Sequence, residues 1–330
     1  MPLGDVVDRR RLVPLMLVIS AVALVACAVA PTFPTLLAAI TLVGLTTVSG
    51  QIIAPLAGDL AAEEHRGRVV GVVTSGILTG ILVSRTLSGL VAGLLGWRAI
   101  YVAAAVGAVV LAVVLRRKPR APPKTRMAYP ALIASVGRVI ASERIVRWSL
   151  VLGAIQFGLF TMFWTALTFL LSDDPFDYSA TTIGLFGLFG LAGAVAAQRT
   201  GRLHDRGWSL PATGVGWVLV LVAFVVASLA GGSALLVIVA VVVLDVAIQS
   251  LNILNQTRLF AVSHTARSRL NTTAVTANFV AGAIGSAGAS LLWQHGGWTS
   301  VTTVAIAMSV VGLVVWALGR RGPLIATRTE

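Results

Sequence analysis

Hydrophobic residues in this chain come in long unbroken runs. They show neither the strict alternation of a strand nor the single apolar stripe of a surface helix. Ten runs stand out, over residues 12–30, 35–57, 69–94, 98–115, 148–171, 181–198, 210–229, 233–255, 270–293 and 298–318. A helix needs about 20 apolar residues to cross the hydrocarbon core of a bilayer, and these runs are of that order. Barrel strands alternate lipid-facing and lumen-facing residues, so the unbroken runs predict helices. The punctuation agrees: Pro31 and Pro34 separate the first two runs, Gly96-Trp97 opens the fourth, and Gly231-Gly232 precedes the eighth. The pattern predicts an all-α, polytopic membrane helical bundle.

Composition sharpens this picture. Of 330 residues, 57% are hydrophobic and 11% charged, with 25 Lys+Arg against 12 Asp+Glu. Soluble chains carry about 25% charged residues, so ordinary globular domains and disorder are both excluded. A net charge of +13 raises nucleic acid as a partner. Such a binder needs its basic residues on one folded polar face, and here they sit in short clusters between apolar runs, so no nucleic acid is expected. The partners that remain are the lipid bilayer and a small molecule. The clusters alternate along the ten runs, and every Lys and Arg except Arg85 and Arg98 falls on one side. The positive-inside rule then places both termini in the cytoplasm of a multi-pass protein of the plasma (inner) membrane. The single cysteine, Cys27, leaves no intrachain disulfide, and no metal or cofactor site is expected.

The chain also repeats itself. Residues 4–9 and 201–206 both read G-x-x-x-D-R, through Gly4, Asp8 and Arg9 and then Gly201, Asp205 and Arg206. Arg66-Gly67-Arg68 recurs as Arg267-Ser268-Arg269, and Gly96-Trp97 as Gly297-Trp298. Two halves of like topology are thus joined by a basic connection. The expected organisation is a four-span part over 1–115, a cytoplasmic linker over 116–147 and a six-span bundle with a short tail over 148–330. The second half carries its G-x-x-x-D-R between its second and third spans, whereas the first half carries it before any span. By the repeat, two spans are expected ahead of residue 1. Within the linker, residues 128–146 predict a surface helix, with Leu132, Val136, Val139 and Ile140 on one face against the anionic inner leaflet.

These residues resemble the major facilitator superfamily, whose members have two six-helix bundles joined by a long cytoplasmic loop. Gly4, Asp8, Arg9, Arg10 and Arg11 look like the family's loop motif after its second helix, without the motif's second glycine, and Gly201, Asp205 and Arg206 like its second-half echo. The resemblance implies the family fold with ten of its usual twelve helices, 1–115 standing for helices three to six, and loops that latch the two bundles. A further likeness is to the drug–proton antiporters, with G-x8-G-x3-G-P-x2-G-G in their fifth helix. Gly71, Gly80 and Gly89 keep that frame, with Ser84-Arg85 at the Gly-Pro position. An arginine of the family's fourth helix is replaced here by Ile40, four residues before Gly44. The resemblance implies efflux of a small organic molecule by alternating access, coupled to protons, by a protein that is not an enzyme; the alternative is a non-transporting remnant of such a transporter.

Candidate chemistry is sparse. Arg85 and Asp245 are the two ionisable side chains deep in predicted spans, and such charges are costly and usually face a cavity or a partner. At about 1.5 Å per residue they lie about 24 Å and about 18 Å from the cytoplasmic end. Two readings stand: a protonatable coupling acid with its basic partner, or a static ion pair. Gln249, Asn252 and Gln256 follow Asp245 at helical spacing, so the four share one face, which must meet protein or water. That face predicts substrate contact, or hydrogen bonding between helices. Gln156 and Trp164, with Ser149, Phe160 and Phe163, form a weaker stripe on 148–171, a second candidate for substrate contact, with helix packing as the alternative. Gly76/Gly80, Gly89/Gly93 and the run Gly184, Gly187, Gly190, Gly193 predict close helix approach. Two motifs are set aside. Leu24-Val25-Ala26-Cys27 has the form of a lipoprotein box, and Asp173-Asp174-Pro175-Phe176-Asp177 that of the magnesium–diphosphate motif of prenyltransferases, a membrane-enzyme reading. The latter has no second acidic cluster and predicts an extracellular turn.

Overall fold

A computed structural model of the chain describes residues 9–47, 66–116, 137, 140, 141, 143–190, 193, 200, 207–262, 267–322 and 324. Among these residues there are nine helices and no strand. They are α1 (Arg9–Val29), α2 (Phe33–Thr46), α3 (Arg66–Leu95), α4 (Trp97–Arg116), α5 (Arg144–Ser172), α6 (Ala180–Phe189), α7 (Ser209–Ser228), α8 (Ala234–Val262) and α9 (Arg267–Gly319). Six helices are long and apolar enough to cross a membrane, with shorter apolar stretches at Phe33–Thr46, Val83–Leu95 and Ala180–Phe189. The ninth and tenth expected runs are the two arms of α9, two helices that meet at a kink at Gly296 and Gly297, whose backbone is not helical.

Local signals explain the breaks. Gly96 takes φ 83° between α3 and α4, and Gly297 takes φ 59° inside α9, a region costly for residues with a Cβ. Pro34 lies in the first turn of α2, where its missing N–H removes nothing. Ser179 caps α6 by accepting a hydrogen bond from the Thr182 amide at 3.3 Å. The acidic stretch after α5 is a turn: Asp173 ends the helix, and the Phe176 and Asp177 amides both donate to its carbonyl at 3.0 Å. No group of three or more metal-ligating side chains occurs among the described residues. Cys27 is buried within α1, which runs unbroken to Val29.

The chain divides into two compact units, Met1–Ala134 and Ser135–Glu330. In the first, Val13 and Leu17 of α1 pack with Ala112 of α4. Ser20 donates to Thr46 Oγ1 at 2.6 Å, joining α1 to α2, and Arg98 donates to the Ala30 carbonyl at 3.1 Å. In the second, one apolar core joins α5, α7, α8 and α9. Three tryptophans fix α7 against α9. Trp298 donates to the Ala227 carbonyl at 2.7 Å near one end, and Trp316 to the Leu210 carbonyl at 3.0 Å near the other. Between them the buried Trp217 ring fills the space left open by Gly312. Along α5 and α9, Gly158 and Gly285 let the backbones meet, and Thr161 donates to the Gly282 carbonyl at 2.9 Å. Small residues and hydroxyls are the means by which helices bind each other without a water-driven hydrophobic effect.

Of the expected surface helix, residues 137, 140 and 141 are helical, and the rest of 128–142 lies outside the described residues. Ile140, half-buried, packs on a cluster of Ile145, Val146, Leu259 and Leu270.

Candidate functional site

The second unit places Asp245 at the head of a polar stripe. α8 is continuous from Ala234 to Val262, so Asp245, Gln249, Asn252 and Gln256 do share a face. Asp245 is 4% exposed. Gln249 is half-buried, and Asn252 and Gln256 are exposed, so access to the stripe grows toward the C-terminal end of α8.

Neighbouring elements hold the backbone of α8 at this level. A Cβ built on Gly193, which is helical and buried, stands 2.7 Å from the Asp245 carbonyl oxygen and 3.1 Å from the Asp245 Cβ. Glycine is what lets that segment reach α8. From the other side, buried Gln156 of α5 donates to the Ile248 carbonyl at 2.9 Å, one turn after Asp245. Thr200 donates to Ser250 Oγ at 3.0 Å. Trp164 is half-buried, edge-on to Phe160 and Phe163 with ring centroids 6.4 and 6.2 Å away. Phe157 continues this aromatic row to Phe279, at 5.8 Å.

In the first unit, Arg85 lies on α3 and is half-buried, and its carbonyl accepts from Ser88 Oγ at 2.9 Å. Gly89 is buried. Among the described residues, no atom lies within 4 Å of a Cβ built on Gly76 or Gly80, so the close helix approach expected there is not seen among them. Gly71 lies within α3, but its surroundings are outside what the structure describes. Gly4, Asp8, Gly201, Asp205 and Arg206 lie outside the described residues; Arg9 and Arg11 begin α1, with only their backbone described.

Two features escaped the sequence reading. Arg258 counted there as a cytoplasmic loop cation, but it lies on α8 and is 5% exposed. Its guanidinium donates to Thr213 Oγ1 at 2.9 Å and to Ser209 Oγ at 3.4 Å, bracing the first turn of α7. The second is an amide cluster. Asn255 donates to the Ser149 carbonyl at 2.9 Å, and a Cβ on Gly153 would meet Asn255 Nδ2 at 2.8 Å and Asn278 Oδ1 at 3.1 Å. Gly153 therefore leaves room for two amides, from α8 and α9. A glycine one turn after Ser149 was the available signal.

An all-helical polytopic membrane protein, with a buried acid heading a polar stripe on one of its spans, is the class that fold and site define. A family model described as the Major Facilitator Superfamily matches residues 1–287. The "Uncharacterized transporter YgaY" of Escherichia coli O157:H7 is 38% identical over 319 residues, covering 96% of this chain and 81% of that protein. The "Probable transporter SCO4007" of Streptomyces coelicolor is 33% identical over 325 residues, covering 96% of this chain and 74% of that one. The chain belongs to the major facilitator superfamily, and it is a membrane transporter and not an enzyme.

Solved structures agree on the fold. A bacterial homolog of the human lysosomal transporter Spinster, in an inward-facing and unoccupied conformation, aligns with TM-score 0.73 at 15% identity, over 96% of this chain and 83% of that one. The human organic anion transporter MFSD10 aligns with TM-score 0.62 at 16% identity, over 96% and 78%.

Proposed function

We propose that the protein is a proton-coupled secondary transporter that exports a small organic molecule across the inner membrane, both termini being cytoplasmic. The observation that carries this reading is the buried carboxylate of Asp245 at the head of a polar stripe on a membrane helix. A charge held there is costly, and its protonation relieves the cost, which is what a coupling group must do. Gln249, Asn252 and Gln256 then meet the substrate, and Trp164 with its aromatic neighbours supplies apolar contact. Gln156 keeps the Asp245 turn of α8 in place through its bond to Ile248. Arg85, an arginine within a predicted span on α3, is a second ionisable residue of the transport cycle. The glycines Gly71, Gly80 and Gly89 belong to surfaces that move past one another, and the loops at 4–9 and 201–206 to the gates.

The test is transport by the purified full chain in proteoliposomes under an imposed pH gradient, with ethidium, an aromatic organic cation, as the first probe among organic cations, anions and neutral solutes. Accumulation of a probe that follows the sign of the pH gradient supports the reading. Fluxes that ignore the gradient for every probe, in vesicles where the protein is folded, contradict it.

A further inference from the structure

The groove between α7 and the end of α9 is not part of the site described above. It encloses about 640 Å³, within the usual range for small-molecule sites, and is lined by Leu210, Pro211, Gly214, Val215, Val218, Leu219, Trp316 and Arg320. Its apolar wall is open to the surroundings, with Val215 60% exposed and Val218 46% exposed. The groove is built rather than incidental. Trp316 is locked by its bond to the Leu210 carbonyl, and its ring lies where a side chain on Gly214 would otherwise stand.

Polar features gather at one end of it. The Arg320 guanidinium lies over the Trp316 ring at 5.0 Å from the centroid. Arg321 follows and is exposed. Both are held at the end of α9, because the Leu324 amide donates to the Gly319 carbonyl at 2.9 Å and Leu324 is buried. The N-terminus of α7 opens on the same end, and its N-cap residue, Trp208, supplies no side-chain oxygen to the first-turn amides. Exposed Trp208 is a residue type that sits at the membrane–water boundary. Positive charge on an anchored arginine, an uncapped helix N-terminus and an apolar trough running away from both are complementary to a single occupant: an anion with a hydrocarbon tail.

We propose that this groove binds one anionic phospholipid of the leaflet at the C-terminal end of α9. The phosphate sits between Arg320 and the first turn of α7, and an acyl chain lies along Val215, Val218 and Leu219. The lipid stabilises the packing of α7 on α9 from the membrane side, and the site is independent of Asp245.

Native mass spectrometry of the purified full chain, titrated with phosphatidylglycerol and phosphatidylcholine, tests this. One phosphatidylglycerol is expected to be retained per chain in preference to phosphatidylcholine. Arg320→Gln, at an exposed position, is expected to weaken that retention about fivefold, the worth of one basic residue at an anionic surface. Arg116→Gln, an equal charge loss on α4, leaves retention unchanged, which separates the groove from bulk charge. Val218→Trp, which fills the trough, is expected to abolish retention. Free glycerol 3-phosphate in excess is expected not to displace the lipid. Equal retention of the two lipids, wild-type retention by Arg320→Gln or by Val218→Trp, or displacement by glycerol 3-phosphate would each overturn the proposal.

Discussion

Gly193 lies directly on the backbone of Asp245. The absent Cβ at Gly193 is what allows the contact, since a methyl there would stand 2.7 Å from the Asp245 carbonyl oxygen and 2.9 Å from its carbon. The acid is therefore positioned by close backbone packing as well as by its own side-chain environment, and the packing is of the kind that a small-residue seam provides between membrane helices.

Gly193→Ala is thus expected to force the two helices apart at the level of Asp245. Overpacking of this kind costs about 1–3 kcal/mol, because backbone cannot yield as a flexible side chain does. The expected outcome is a lowered thermal midpoint together with a loss of transport rate. Ala at Gly80, where no described atom lies within 4 Å, is expected to leave the midpoint unchanged. Equal effects at the two positions would remove the special role of the Gly193 contact.

Much of the fold could be read from the sequence, because a bilayer demands long apolar helices whatever their packing. Gly96, Gly207 and Gly297 mark three positive-φ breaks, each directly before a tryptophan, Trp97, Trp208 and Trp298. The stripe of Asp245, Gln249, Asn252 and Gln256 was likewise readable, since helical spacing alone puts them on one face. What the sequence could not supply was partner choice. Arg258 sits three residues after a run of apolar character and reads as a loop cation by charge alone. Its burial depends on Ser209 and Thr213 arriving from α7, 45 or more residues earlier. Asn278 is a single amide in an apolar stretch and Asn255 stands beside the polar stripe, one residue before Gln256, and only the space over Gly153 brings the two together. Gln156 was read with the substrate face of α5; the structure shows its amide bonded to the backbone of α8, a contact that no spacing rule predicts.

Arg258 makes a prediction of its own. Its guanidinium reaches both hydroxyls through a single nitrogen while the side chain fills buried space at the α7–α8 contact. Arg258→Ala is expected to lower stability by about 2–3 kcal/mol, the scale of hydrogen bonds involving a charged group. Arg258→Lys keeps the charge but not the planar fork, and is expected to fall between the two. Thermal midpoints of the three proteins in one detergent are the check. An Ala variant as stable as the parent would show that the buried arginine contributes nothing there.

Gln156 and Gln249 are expected to separate in their effects. Gln156→Leu removes the donor to the Ile248 carbonyl, and should cost about 1 kcal/mol of stability with a parallel drop in transport rate. Gln249→Leu, on the half-buried part of the stripe, should instead raise the half-saturating substrate concentration with little change in midpoint. Concentration-dependent fluxes and thermal midpoints measured on both variants decide this. A stability loss at Gln249 without any change in saturation would place it among the packing residues.

The central claim is that Asp245 couples protons to substrate movement. Asp245→Asn is close in shape and cannot ionise, so it mimics the protonated carboxyl. Proteoliposomes containing this variant, compared with the parent for pH-gradient-driven uptake and for substrate exchange at equal pH, test the claim most directly. The account predicts that gradient-driven accumulation falls to background while exchange at equal pH persists. Gradient-driven accumulation at the parent's rate would contradict it.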